Sequence, residues 1–282
     1  MKYRRLGNTD LEPSVLGFGC SMIASLATRH PRKEVVRTLD EAMDAGINFF
    51  DTADVYGQGD SERLLGTLFR SKRKDMIICT KAGLTTGHFS PMVRMIKPFA
   101  NAFVRRWQAG GLVTRARHGS EGQCFTPSYL RRCIEGSLRR LGVEQIDLFL
   151  LHNPPTDLPQ KNAVFDELSG LRLQGKVRHL GISCRSVSDA DEWMKQPLVS
   201  CIQIPIHHAT LTQALPILER ARSYGIGVIV REVFAGGILK DTTIHEALTP
   251  LVRRPEIAVV LAGMTCRRHL HDNVQAVDIA LR

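Results

Sequence analysis

The chain has 282 residues, 43% of them hydrophobic, which suits one large domain with a sizeable core. No apolar run reaches the roughly 18 residues of a membrane-crossing helix, and the opening MKYRRLGNTD lacks the apolar centre of a signal peptide, so a cytoplasmic protein without a transmembrane segment is expected. The seven cysteines form no CxxC pair or metal-ligand spacing, and their odd number points to free thiols in a reducing compartment; the formal charge of +10 comes without a zinc finger or RNA-binding signature, which weighs against nucleic acid as partner.

The leading KYRRLGNTDLEP has a turn at Gly7-Asn8 and reads as a hairpin. The first strand is VLGFG (15–19). PRKEVVRTLDEAMDAG follows as a helix, with Pro31 near its first turn and Gly46 at its end. NFFDT (48–52) is a strand, DSERLLG a helix start, and MIICTK (76–81) the third strand. Beyond a long gap, TPSYLRRCIEGSLRRLG has Thr126 as N-cap, Pro127 after it and Gly142 as its stop. Strands IDLFLLH (146–152), VRHLGIS (177–183), CIQIPI (201–206), GVIVRE (227–232) and AVVLAG (258–263) then alternate with helical stretches near 162–174, 188–196, 211–224, 243–252 and 268–280.

The strand runs are nearly continuous in apolar character, which suits parallel strands buried on both faces. Eight of them alternating with about eight helices predict a single-domain (β/α)8 barrel over residues 1–282, with the hairpin across its floor. A doubly wound sheet is the alternative, but no GxGxxG follows the first strand.

Residues 84–126 form an insert. Arg94, Lys97, Arg105, Arg106, Arg115 and Arg117 face only Glu121 there, and apolar residues at 92, 95, 96, 99, 103 and 107 have helical spacing. The plain reading is a lid packed on the barrel rim. Sharper readings give it an anionic or bulky substrate, or a membrane surface or partner protein.

In such barrels reactive groups sit at the C-terminal ends of strands. Asp51 ends the second strand, Lys81 the third and His152 the fourth, with Tyr56 on the loop after the second. Singly, each has a plain explanation as a cap, a surface aromatic, a solvated strand end or a satisfied core histidine. Together they make proton chemistry. A tyrosine titrates near pH 10. A nearby ammonium is expected to lower that value, a buried lysine needs a carboxylate, and a histidine can orient a reacting oxygen. The set suits protonation of an oxygen while hydride reaches a carbonyl carbon, for which a nicotinamide cofactor is needed.

Over almost its full length the chain resembles the aldo-keto reductase family. The matching segments are YRRLGNTDLEPSVLGFG, GINFFDTADVYGQGDSERLLG, TKAG, SLRRLGVEQIDLFLLHNP, GKVRHLGIS, IQIPI, YGIGVIVREVFAGGIL and GMTCRRHLHDNVQAVD. The resemblance implies a catalytic tetrad of Asp51, Tyr56, Lys81 and His152, with Tyr56 as general acid. It implies NADPH extended across the barrel mouth, NAD being the less favoured form. Ser183 and Gln203 match the residues that hold the nicotinamide carboxamide. Cys184 stands where the family has asparagine, and Arg231 where an aromatic often stacks on the nicotinamide. Glu232, beside the pyrophosphate path, has no explanation in the sequence. Gly263 and Asn273 keep the family spacing near the adenosine, and Arg267 and Arg268 between them suit a 2′-phosphate.

His207 and His208, after the sixth strand, are candidate substrate contacts and make a poor case for a metal. The expected partner is a small carbonyl or alcohol substrate. A nucleotide-binding regulatory barrel with little turnover is the competing class.

Overall fold

The structure is a computed structural model that describes residues 1–24, 30–86, 121–235 and 242–282. In chain order the elements are β1 (Leu16–Gly19), α1 (Arg32–Asp44), β2 (Phe49–Asp51), α2 (Asp60–Leu68), β3 (Ile77–Ala82), β4 (Leu84–Thr86), β5 (Glu121–Gln123) and α3 (Pro127–Leu141). There follow β6 (Ile146–His152), α4 (Lys161–Leu173), β7 (Val177–Ser183), α5 (Asp189–Trp193), β8 (Val199–Pro205), α6 (Leu211–Ser223), β9 (Gly227–Arg231), α7 (Ile244–Val252), β10 (Ile257–Gly263) and α8 (Arg267–Ala280).

Eight strands close into a parallel barrel in the order β1-β2-β3-β6-β7-β8-β9-β10, with β10 pairing back onto β1 through Leu16↔Val260 to Gly19↔Gly263. Each of the eight apolar runs in the sequence falls on one of these strands. Their burial explains the lack of alternation. Phe50, Ile78, Phe149, Leu151, Ile202 and Val228 face the helix layer, while Phe49, Cys79, Leu148, Leu150, Cys201 and Ile229 fill the barrel interior. Both faces of a strand are therefore apolar.

The helix signals also hold, with one local difference. Pro127 starts α3 and Gly142 ends it in the left-handed conformation at φ 67°, but the Thr126 side chain makes no capping bond. Its hydroxyl lies 3.7 Å from the Cys124 sulfur instead. Pro127 at the first helical position has no N–H of its own left orphaned there.

The N-terminal residues do form a hairpin under the barrel. Tyr3 bridges Ser14, the Arg4 N–H donates to the Pro13 carbonyl, and the Leu6 N–H donates to the Leu11 carbonyl. Gly7 turns the chain at φ 56° so closely against β9 that a Cβ there would stand 2.3 Å from the Gly227 nitrogen. Leu6 and Leu11 join the interior cluster and plug its floor. Arg4 donates to the carbonyls of Val252, Arg254 and Ile257, so the hairpin also ties down the last βα unit.

The long insert is rooted in a two-stranded antiparallel ribbon, with Leu84 opposite Gln123 and Thr86 opposite Glu121. Residues 87–120 lie outside the described residues, and the expectations about a lid or basic helix fall on them. No helix among the described residues is long and apolar enough to cross a membrane.

Leu6→Ala should open a cavity beneath the barrel interior. It should cost about 2–5 kcal/mol in urea unfolding, with little change in the dependence on denaturant.

Candidate active site

The strands deliver the candidate residues by a period of two. Along β2, β3, β6, β8 and β9 the interior residues Phe49, Cys79, Leu150, Cys201 and Ile229 are each followed two positions later by Asp51, Lys81, His152, Gln203 and Arg231. Side chains at i and i+2 share a face, so the apolar interior passes directly into a polar layer at the barrel mouth. On β7, Ser183 enters the same layer, opposite His152 on one side and Gln203 on the other.

A connected set of polar groups lies at that level. The Lys81 ammonium donates to Asp51 Oδ2 at 2.8 Å and to the Thr52 carbonyl at 2.7 Å. Gln203 Nε2 donates to Asp51 Oδ1 at 2.7 Å, and Ser183 Oγ donates to Gln203 Oε1 at 3.0 Å. Lys81 is 1% exposed and Asp51 5%, so the ion pair is almost fully dry. Desolvation alone pulls the Lys81 ammonium down, but Asp51, with smaller help from Tyr56 and Cys79, more than offsets it and leaves lysine firmly charged.

Tyr56 opens a short 3-10 turn, Tyr56–Gly59, whose Gly57 and Gln58 take positive φ. Its ring centroid is 5.0 Å from Lys81 Nζ and 5.9 Å from the His152 ring, edge-on at 82°. Lys81 lowers the phenol's titration as expected, but burial outweighs it. Burial raises it most, Lys81 and Arg231 pull back, Asp51 adds to the rise, and the net shift is upward. The low-dielectric surroundings penalise the phenolate more than one ammonium, already shared with Asp51, can repay. The phenol therefore keeps its proton throughout the neutral range.

Arg231 bridges β9 to the loops above β6 and β7. It donates to the Cys184 carbonyl at 2.8 Å and reaches Asn153 Oδ1 at 3.5 Å. The unexplained Glu232 now has a partner, because its carboxylate pairs with the Arg231 guanidinium from a backbone at φ 60°. Cys184 is buried, and burial pushes its thiol up. It contributes its backbone carbonyl, which any residue type provides. Asn153, also at positive φ, and the Thr52 carbonyl escaped the sequence reading. Backbone groups carry no side-chain signal, and Asn153 gains meaning only from Arg231, 78 residues away.

The remaining candidates lie at the end of β10, on α8 and after β8. Gly263 ends β10 with open space where a Cβ would stand. Asn273 is 2% exposed, and its Oδ1 has no hydrogen-bond partner. Arg267 pairs with Glu41 at 2.7 Å, whereas Arg268 reaches Asp272 only at 3.7 Å and is largely exposed. His207 and His208 follow β8, with rings 6.2 Å apart and Nδ1 atoms that find no partner.

Outside the layer, Asp54 lies between β2 and the Tyr56 turn. The residue is partly exposed, but its Oδ1 is out of reach of water and lacks a partner. Burial, reinforced by the neighbouring Glu62 carboxylate, pushes its carboxyl up to about 7. Glu62 is itself fully buried, accepting from Thr80 Oγ1 at 2.6 Å and from Arg140 Nε at 2.5 Å.

Solved structures share this architecture. An aldo-keto reductase of Bacillus halodurans in its holo form matches with TM-score 0.77 at 24% identity, over 99% of this chain and 91% of that one. A putative aldo-keto reductase from Pseudomonas aeruginosa matches at 0.78 and 25% identity, over 99% and 95%. Residues 15–250 match the model of the aldo/keto reductase family, and the chain belongs to that family of oxidoreductases. Among curated relatives, the uncharacterized oxidoreductase YqkF of Bacillus subtilis is 28% identical over all of this chain and 80% of its own. A probable aldo-keto reductase 1 of Glycine max is 31% identical over 86% of this chain, which spans 64% of that protein.

Removing either charge of the buried pair leaves the other stranded. Lys81→Met and Asp51→Asn should each cost about 3–5 kcal/mol in denaturant unfolding, and the double variant should lose well under the sum. Asp54 gives a pH signature. An unfolded aspartate releases its proton near pH 4 and the folded one only near 7, so stability owed to the neutral carboxyl is complete below about 4 and is lost as pH rises through 7. Asp54→Asn should remove that slope, on the order of 2–4 kcal/mol across the window, in urea melts at a series of pH values.

Proposed function

We propose that the chain interconverts a carbonyl and an alcohol with NADP(H), with Tyr56 as the acid that protonates the carbonyl oxygen. The observation that carries this reading is the Tyr56–Lys81–Asp51 arrangement at the mouth. A protonated phenol lies against a permanently charged ammonium, which a buried carboxylate holds in place.

The residues present fit a nicotinamide dinucleotide. Gln203 spends one donor on Asp51 and one acceptor site on Ser183, which leaves half of its amide capacity, and Ser183 Oγ keeps acceptor sites, for a carboxamide. Asn273 presents a buried, unpartnered acceptor midway along α8, suited to an exocyclic amine. Bound there, the cofactor supplies the hydride.

The protein's own groups do the rest. Tyr56 gives its proton to the oxygen as charge develops on it. Lys81 stabilises the phenolate left behind, and Asp51 keeps the lysine charged and aimed. His152, edge-on to the Tyr56 ring, orients the carbonyl oxygen. Arg231, tied to the Cys184 carbonyl and balanced by Glu232, covers the β9 side of the mouth. Arg268 supports the NADP(H) preference, since its ion pair is long and exposed, while Arg267 is already committed to Glu41. Glu232, left unexplained by the sequence, is balanced by Arg231. His207 and His208, which follow β8 at the same rim, are the proposed substrate contacts.

Tyr56→Phe should lower NADPH-dependent reduction of a panel of aldehydes and ketones by about 10²–10⁴-fold. NADPH binding, followed by fluorescence quenching, should be unchanged in that variant and tighter than NADH binding. Full turnover in Tyr56→Phe would refute the proposed acid.

A further inference from the structure

We propose that His30, Cys266 and His269 form a zinc site that clasps the segment ahead of α1 to the first turn of α8. The ligand-capable atoms of these three side chains all lie within 4.8 Å of one another. In a tetrahedral zinc site, with Zn–S near 2.3 Å and Zn–N near 2.0–2.1 Å, neighbouring ligand atoms stand about 3.3–3.7 Å apart. Closing the difference takes side-chain movement of about an ångström, with no change of fold. One thiolate with two imidazoles is a donor set suited to Zn²⁺, and three protein ligands leave a fourth position for water or another small donor.

The local structure favours these roles. Cys266 is the N-cap of α8 and His269 lies three residues on, so one helical turn aligns both on the same side. The Cys266 sulfur is buried and makes no capping hydrogen bond, so metal binding would displace no such bond. The N-terminal end of α8 disfavours a bare cation, and a negatively charged sulfur ligand in the site offsets that. His30 meets His269 edge-on, with ring centroids 5.9 Å apart and planes at 89°.

The two arginines that open α8 are partly neutralised. Arg267 is paired with Glu41, and Arg268 faces Asp272. Glu34 accepts the Arg267 N–H at 3.3 Å and adds negative charge at the same turn. None of the three ligands belongs to the polar layer around Asp51 and Lys81, but Cys266 and His269 flank Arg267 and Arg268, so the metal would share this turn with the cofactor phosphate of the proposed function.

The test is metal titration of the full chain after chelator treatment and dialysis, with Zn²⁺ by calorimetry and Co²⁺ by absorbance. One equivalent should bind, the thermal midpoint should rise with Zn²⁺, and Co²⁺ should give a thiolate charge-transfer band with the visible bands of a tetrahedral site. Loss of an outer partner alone costs about 10–100-fold in metal affinity, so His30→Ala, Cys266→Ser and His269→Ala should each weaken binding by at least about 100-fold. Cys133→Ser should bind as the parent does. Metal-free melting midpoints that match the parent would separate loss of ligation from loss of fold. No saturable binding, or binding unchanged in both Cys266→Ser and His30→Ala, would overturn the site.

Discussion

The ammonium of Lys81 has no access to water, and much of the barrel mouth is organised by that fact. A charge taken into a protein interior carries a penalty of several kcal/mol, which only a close counter-charge and satisfied hydrogen bonds can offset. Asp51 supplies the charge and the Thr52 carbonyl a further acceptor. Asp51 must then satisfy its own second oxygen, which it does through Gln203, and Gln203 in turn is held by Ser183. Four side chains from β2, β3, β7 and β8 are thereby fixed by one buried charge. The layer that would receive a substrate is set before any substrate arrives, the condition under which electrostatic stabilisation is strongest.

Closure of the barrel makes such a network possible. Eight parallel strands run the same way, so every C-terminal end reaches the same rim, and the two-residue period carries each interior face from hydrocarbon to polar side chain within one step. Phe49 leads to Asp51, Cys79 to Lys81, and Leu150 to His152. Burial of the apolar residues pins the register, since a slip by one position would send the polar partner into the helix layer.

This logic also explains what the sequence disclosed and what it hid. The eight strands were legible because both faces of each are buried, which leaves unbroken apolar runs. Asp51, Lys81 and His152 were legible because each ends such a run. The partnerships were not. Gln203 reads as a cofactor contact, yet in the fold it is first the partner of Asp51, 152 residues away. Glu232 looked out of place until the turn just after β9 set it against Arg231, a relation that accompanies a positive φ no residue type announces. The direction in which Tyr56 titrates depended on how burial compares with one shared ammonium, a balance of magnitudes invisible in a string of letters. Likewise, nothing in the sequence joined Cys266 and His269 to His30, more than 200 residues earlier, whose ligand atom the fold brings within 4.8 Å of theirs.

The clasp between the two ends of the chain bears on how the molecule is made. Lys2 donates to the Leu281 carbonyl, Arg4 holds three carbonyls between Val252 and Ile257, and β1 pairs with β10. None of these bonds can form until the ribosome has delivered the last strand. During synthesis, β1 and the newest strand are both open edges, each offering unpaired backbone groups to any neighbouring chain. The short length of β1, four residues, and the hairpin folded back ahead of it limit how much of that edge is on offer. The emerging chain thus carries its own guard at the end that must wait longest for its partner.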